Sequence, residues 1–222
     1  MKKNLKLPKN EIFVLPNMDK LNHEVPDMEN LANLPKPHRT ILCAEPNLGK
    51  SNIIKNILYN ANPPYERIVI FHSDPTSKEY SDINAEYVDE IPEIDFWDEN
   101  VKTLFILEDI SFKRLRGSQK ELVDRYYGCF STHHNISIIS TFQRAFSCPT
   151  EIRDMSNIML LWKTKNLNAL SQLSSRLGIE ADDLKYIFKN ICNDKYDFLT
   201  IDNSRPTCRL RKNLFEVIDY RN

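Results

Sequence analysis

Thr40-Ile41-Leu42-Cys43-Ala44-Glu45-Pro46-Asn47-Leu48-Gly49-Lys50-Ser51 is an apolar run that breaks into a polar turn and closes on Gly-Lys-Ser. The first four residues have strand character. Beyond the turn, Ile53, Ile54, Ile57 and Leu58 form an apolar stripe at helical spacing, so a helix is expected through residue 60. A strand, such a loop and a helix make a cradle for phosphate, because the helix N-terminus presents unbonded N–H groups and the positive end of its dipole. Within the loop of Ala44, Glu45, Pro46, Asn47, Leu48, Gly49, Lys50 and Ser51, the last three have defined tasks. Gly49 lets the backbone approach closely, Lys50 reaches the β- and γ-phosphates from a solvated loop, and the Ser51 hydroxyl binds Mg²⁺. Ala44 stands where this pattern usually has glycine and adds only a methyl group. The plain alternative is a surface turn with a stray lysine; the strand–loop–helix setting argues against it.

Outward from this loop, Asn62-Pro63-Pro64 stops the helix, and short apolar runs recur at 67–71, 103–107, 136–140 and 158–162. Apolar strands separated by helix-length segments imply a mainly parallel sheet with helices on both faces, an α/β fold. A helix is expected across 117–130. Leu167, Leu170, Leu173 and Leu177 mark another, stopped by Gly178, and a further helix spans roughly 180–190. Residues 196–202 and 207–212 flank Asn203-Ser204-Arg205-Pro206, which reads as a C-terminal hairpin. Residues 74–99 hold ten Asp or Glu against one Lys and read as a solvated connection. Residues 1–37, punctuated by Pro8, Pro16, Pro26, Pro35 and Pro37, read as an extended N-terminal arm laid on a domain of residues 38–222.

Composition sets the outer bounds. A chain of 222 residues, 41% apolar and 27% charged, suffices for one globular domain with a sizeable core. Thirty Lys and Arg against 31 Asp and Glu leave a net charge of −1, so any argument for nucleic acid or membrane must be local. No apolar run is long enough to span a bilayer, and no apolar stretch follows the N-terminal lysines as a signal peptide requires. Cysteines at 43, 129, 148, 192 and 208 show no Cys-x-x-Cys spacing, which points to a reducing compartment rather than a disulfide framework.

A phosphate loop implies a nucleotide; hydrolysis also needs an acid at the end of a neighbouring strand. Leu104-Phe105-Ile106-Leu107-Glu108-Asp109 supplies two carboxylates where an apolar run ends. In P-loop ATPases with an additional strand, the first acid supports the Mg²⁺ shell through water and the second polarises the attacking water. Glu108 and Asp109 take these roles in that order. The usual order is Asp first, so a swap of the two roles stays open, as does an acid pair that merely neutralises a helix dipole. After the run at 136–140, Ser140-Thr141-Phe142-Gln143 places an amide where it can orient the water or sense the γ-phosphate. Lys113, Arg114, Arg116 and Lys120 follow the acids with no acid among them. They form a basic loop able to hold DNA phosphates of any sequence, or an ordinary solvated loop. Arg205, Arg209, Arg211 and Lys212 make a second basic cluster on the hairpin. His133 and His134, adjacent and pointing apart on a strand, are a poor metal pair and read as structural.

Together with these motifs, three segments carry a resemblance. They are His133-His134-Asn135-Ile136-Ser137-Ile138-Ile139-Ser140-Thr141-Phe142-Gln143, Cys148-Pro149-Thr150-Glu151-Ile152-Arg153-Asp154-Met155-Ser156-Asn157, and Tyr196-Asp197-Phe198-Leu199-Thr200-Ile201-Asp202. The chain resembles the viral genome-packaging ATPases of the FtsK–HerA class, the poxvirus-type enzymes of large DNA viruses, virophages and related elements. The resemblance covers about residues 40–214. It implies a RecA-like, additional-strand core, ATP and Mg²⁺, a ring of identical subunits, and translocation of double-stranded DNA into a capsid or its portal vertex inside an infected host. Ring ATPases complete their site with an arginine from the next subunit, and Arg125, Arg144 and Arg153 are the candidates. Two other readings compete. A small-molecule kinase should show an Arg-rich lid, for which the sequence offers no convincing segment. A weakly hydrolysing, nucleotide-dependent DNA-binding scaffold is favoured by the reversed acid order.

Overall fold

The protein is described by a computed structural model at residues 14–15, 34–35, 37–72, 79–144, 147–164, 173–174, 179–204 and 209–219. Six strands run parallel: β2 (Arg39–Cys43), β3 (Arg67–His72), β4 (Glu86–Val88), β5 (Thr103–Glu108), β6 (Ile136–Phe142) and β7 (Ile158–Trp162). Antiparallel strands β8 (Phe198–Asp202), β9 (Arg209–Lys212), β10 (Glu216–Ile218) and β1 (Val14–Leu15) continue the sheet beyond β7. The ten-stranded order is β1-β10-β9-β8-β7-β2-β6-β5-β3-β4. β6 therefore lies between the phosphate-loop strand β2 and the carboxylate strand β5, which is the additional strand of a RecA-like core.

The apolar runs explain why these strands are central. Every residue of β5, β6 and β7 is buried, as parallel strands covered on both faces require. Alternate side chains enter two cores. On one face Leu42, Ile70, Leu104, Ile106 and Ile139 meet Ile54 and Ile57 of α1 (Lys50–Tyr59). On the other, Ile41, Val69, Phe105, Leu107 and Ile138 meet Leu122 and Val123 of α2 (Gly117–Arg125). A single π-helical turn, Tyr126–Phe130, extends α2 and adds three aromatic rings to that core. Short α3 (Ser131–His133) and α4 (Thr150–Met155) follow, and α5 (Ala181–Asn190) closes the same face with Leu184, Ile187 and Phe188. Each fully buried aliphatic side chain contributes about 1.5–3 kcal/mol, which keeps the sheet rigid behind its functional edge.

Several expectations change in three dimensions. The acidic segment is no solvated connection where it is described: Tyr80, Ile91 and Trp97 are buried, and β4 adds an edge strand beside β3. Its acids stay on the outside while every few residues an apolar side chain turns inward. His133 and His134 stand at the end of α3, not on a strand, and the His134 ring packs edge-on against Phe130. Leu173 and Ser174 are helical and buried; the rest of the leucine-marked helix lies outside the described residues. From the arm, β1 pairs with β10, and Leu34 is fully buried in the core under α1.

Candidate nucleotide site

Because β2, β3, β5 and β6 are parallel, their C-terminal ends share one edge of the sheet. A cleft of about 650 Å³ opens there, lined by Pro46, Asn47, Leu48, Gly49, Lys50, Ser51, Asn52, Ile53, Glu79, Glu108, Asp109 and Tyr196. The loop turns through two left-handed residues, Asn47 at φ 61° and Gly49 at φ 86°. That geometry curls successive N–H groups into a concave anion seat. At Gly49 any side chain would be strained. α1 starts with no side-chain cap and no acid in its first turn, so its positive end is left for an anion. Ala44 anchors the loop: its N–H donates to the Phe142 carbonyl at 3.0 Å, and its own carbonyl accepts from Lys50 Nζ at 3.2 Å. Lys50 is buried, at 8% exposed, rather than solvated as its place in a polar loop suggested. The helix start folds its stem inward, and the ammonium lies between the Ala44 carbonyl and Asp109.

The two acids sit differently. Glu108 is the last residue of β5, only 2% exposed, and its Oε2 accepts from the Tyr80 hydroxyl at 2.8 Å. Asp109 leaves the strand at φ 45°, its N–H donating to Thr141 Oγ1 at 2.7 Å. Asp109 is 37% exposed, and its Oδ1 lies 3.9 Å from Lys50 Nζ, shielded from solvent and without a hydrogen bond among the described residues. Glu79 and Tyr80 carry no motif in the sequence, and Tyr196 opens the third resembling segment without any site role assigned to it there. The Ser51 hydroxyl donates to Glu79 Oε2 at 2.6 Å, and Tyr196 is 61% exposed with its ring beside Gly49.

The remaining predicted residues fall into separate places. Gln143 is exposed directly past β6, on the same sheet edge, though not in the cleft lining. Arg144 beside it is exposed, and so is Arg125, whose guanidinium lies over the Phe130 ring at 4.5 Å. Arg153 is 7% exposed and donates to Thr150 Oγ1 at 3.2 Å. Lys113, Arg114 and Arg116 are exposed, Lys120 is half-buried, and Arg116 lies 3.7 Å from Glu90. Two members of the hairpin cluster have acidic partners. Arg211 is buried against Asp202 at 3.6 Å, and half-buried Lys212 pairs with Asp197 at 3.1 Å. Arg205 lies outside the described residues.

Solved structures share this architecture. The genome-packaging NTPase B204 of Sulfolobus turreted icosahedral virus 2, with sulfate, is 19% identical at a TM-score of 0.58, over 78% of this chain and 95% of that one. Its complex with ATPγS gives 16% and 0.56, over 80% and 98%. The fold is that of the genome-packaging NTPases. The conjugation coupling protein TcpA of pCW3, in its monomer form with ATPγS, is 12% identical at 0.53, over 82% of this chain and 60% of that one. No family model and no curated protein matches the sequence.

The donor set fits a hard divalent cation held mostly by water and phosphate. Among the described residues no group of three or more His, Cys, Asp or Glu side chains could hold a metal ion alone. A hydroxyl at Ser51 and a carboxylate at Glu108 are what Mg²⁺ takes from a protein in such sites. Burial pushes the Glu108 carboxyl up to about 7, with the Asp109 and Glu79 charges adding to the rise against the Tyr80 hydrogen bond and Lys50. Between pH 4.5 and about 7 the folded protein therefore holds a proton that the unfolded chain has released. In metal-free buffer this group's stabilisation is complete below pH 4.5 and is lost as pH rises through about 7, on the order of 3 kcal/mol. Urea unfolding across that window should show the loss in the wild type and not in Glu108→Gln.

Proposed function

We propose that this protein is an ATP-hydrolysing motor that moves double-stranded DNA, packaging a viral genome into a capsid or through its portal vertex in an infected host. Supporting this reading is the convergence of Lys50, Ser51, Glu108 and Asp109 on one cleft across an additional strand. Lys50 and the loop N–H groups hold the phosphates. Ser51 and Glu108, the latter through water, hold Mg²⁺, which when bound offsets phosphate charge. Asp109 takes a proton from the attacking water, and Gln143 orients it. The Tyr196 ring offers an apolar face to the nucleobase. A ring of subunits completes each site with Arg144 or Arg125, and residues 1–37 act as an arm on the domain of 38–222. No helix of the described residues is long and apolar enough to cross a membrane. ATP turnover with and without duplex DNA tests the proposal: a motor is stimulated by DNA, a kinase by its acceptor, a scaffold by neither.

The DNA-binding role assigned to the basic loop has its own test. Phe112 and Leu115 pack on the core and leave Lys113, Arg114 and Arg116 turned outward, a few residues from Asp109. Neutralising these three should weaken binding similarly on unrelated duplexes and flatten the salt slope by about one unit for each phosphate no longer held. Nucleotide affinity stays unchanged, because no residue lining the cleft is altered. An unchanged slope in the triple variant assigns the loop to solvent alone.

A further inference from the structure

Glu79 and Tyr80 are consecutive residues that reach the two groups assigned to the cation. Ser51 Oγ donates to Glu79 Oε2 at 2.6 Å, and the Tyr80 hydroxyl donates to Glu108 Oε2 at 2.8 Å. Tyr80 is 1% exposed, packed in the core that includes Leu104 and Ile106, so its hydroxyl is fixed by a rigid ring. We propose that Glu79 and Tyr80 are positioning residues for a divalent cation, setting the Ser51 hydroxyl and the Glu108 carboxylate in their binding orientations before the metal–nucleotide arrives. The inference rests on the Mg²⁺–ATP reading of the cleft.

The reason lies in where each group's lone pairs point. A hydroxyl ligates a cation through oxygen and must turn its hydrogen away. Glu79 accepts that hydrogen and so leaves the Ser51 lone pairs for the metal. A carboxylate with neither oxygen held swings between rotamers. The bond from Tyr80 holds Oε2 and leaves Oε1 for the cation's water shell. One dipeptide thus orients both sides of the cation site, and partners of this kind are typically worth 10–100-fold in metal affinity.

Binding of a fluorescent ATP analogue, measured without metal and across a Mg²⁺ titration, tests this in the full chain. Tyr80→Phe and Glu79→Ala should each raise the Mg²⁺ midpoint about 10-fold. Metal-free nucleotide affinity should change far less than the Mg²⁺ midpoint in both variants, and the thermal midpoint should stay at the wild-type value in Glu79→Ala, whose side chain is exposed. Glu79→Gln, whose amide oxygen still accepts the Ser51 hydrogen, should restore a near-wild-type midpoint. Unchanged midpoints in both Tyr80→Phe and Glu79→Ala overturn the inference, as does a loss of nucleotide affinity that is equal with and without Mg²⁺. Should Tyr80→Phe fail to fold, the Glu79 variants decide alone. A wild-type protein that binds no nucleotide sinks the Mg²⁺–ATP reading itself, and the inference with it.

Discussion

Lys50→Ala removes nucleotide turnover, by about 10²–10³-fold or more, and leaves the fold in place. Lys50 Nζ is the one ammonium lining the cleft among the described residues, bonded to the Ala44 carbonyl and 3.9 Å from Asp109. Charge that develops on transferring phosphate oxygens in a water-poor site is stabilised by such a preorganised cation far more than it would be in water. Truncation deletes that charge while the loop keeps its Ala44–Phe142 backbone bond and its two left-handed residues. The side chain is buried, so some packing goes with it. That change falls on the loop and not on the sheet core, and circular dichroism should match the wild type. Steady-state ATPase is the decisive measurement, and an active Lys50→Ala protein removes the phosphate-loop assignment.

Asp109→Asn separates binding from hydrolysis. The amide keeps the size and polarity of the carboxylate but cannot take a proton, so turnover falls about 10²–10⁴-fold while ATP affinity persists. The position tolerates the change well. Its φ of 45° suits Asn, and its N–H bond to Thr141 is made by the backbone. Glu108→Gln should act differently, because Glu108 is the buried partner of Tyr80 beside the Ser51 hydroxyl: its loss should appear first as a higher Mg²⁺ requirement. Should Glu108→Gln instead keep Mg²⁺ dependence and lose turnover while Asp109→Asn stays active, the two roles are exchanged. The reversed order of the acids makes this comparison necessary. A Glu at the strand end is one methylene longer than the usual Asp, and the structure accommodates it by burying it against Tyr80.

The phosphate loop was legible because its physics is short-ranged. A strand, a turn needing positive φ at Gly49 and a helix start all lie within a dozen residues, so sequence spacing and spatial spacing nearly coincide. The central strands were legible for a related reason: burial on both faces leaves no charged position in the middle of a run, as Leu104 to Leu107 of β5 show. Where these features meet was not written locally. β6 enters between β2 and β5 only through long-range pairing, and that pairing puts Ser51, Glu108 and Asp109 on one edge. Glu79 and Tyr80 come from a stretch whose composition says solvent, and Tyr196 from a loop far along the chain. Each reaches the cleft because parallel strands end at the same side of the sheet. The surroundings of the cations were not legible for the complementary reason. Arg153, Arg211 and Lys212 look available in a sequence, which records charge but not burial, and the fold encloses the two arginines and gives all three partners. By itself, then, the sequence determined the α/β class and the phosphate loop, since both follow from interactions between near neighbours. Which acids, hydroxyls and cations share that loop's cleft depended on interactions between distant segments, which only the tertiary structure decides.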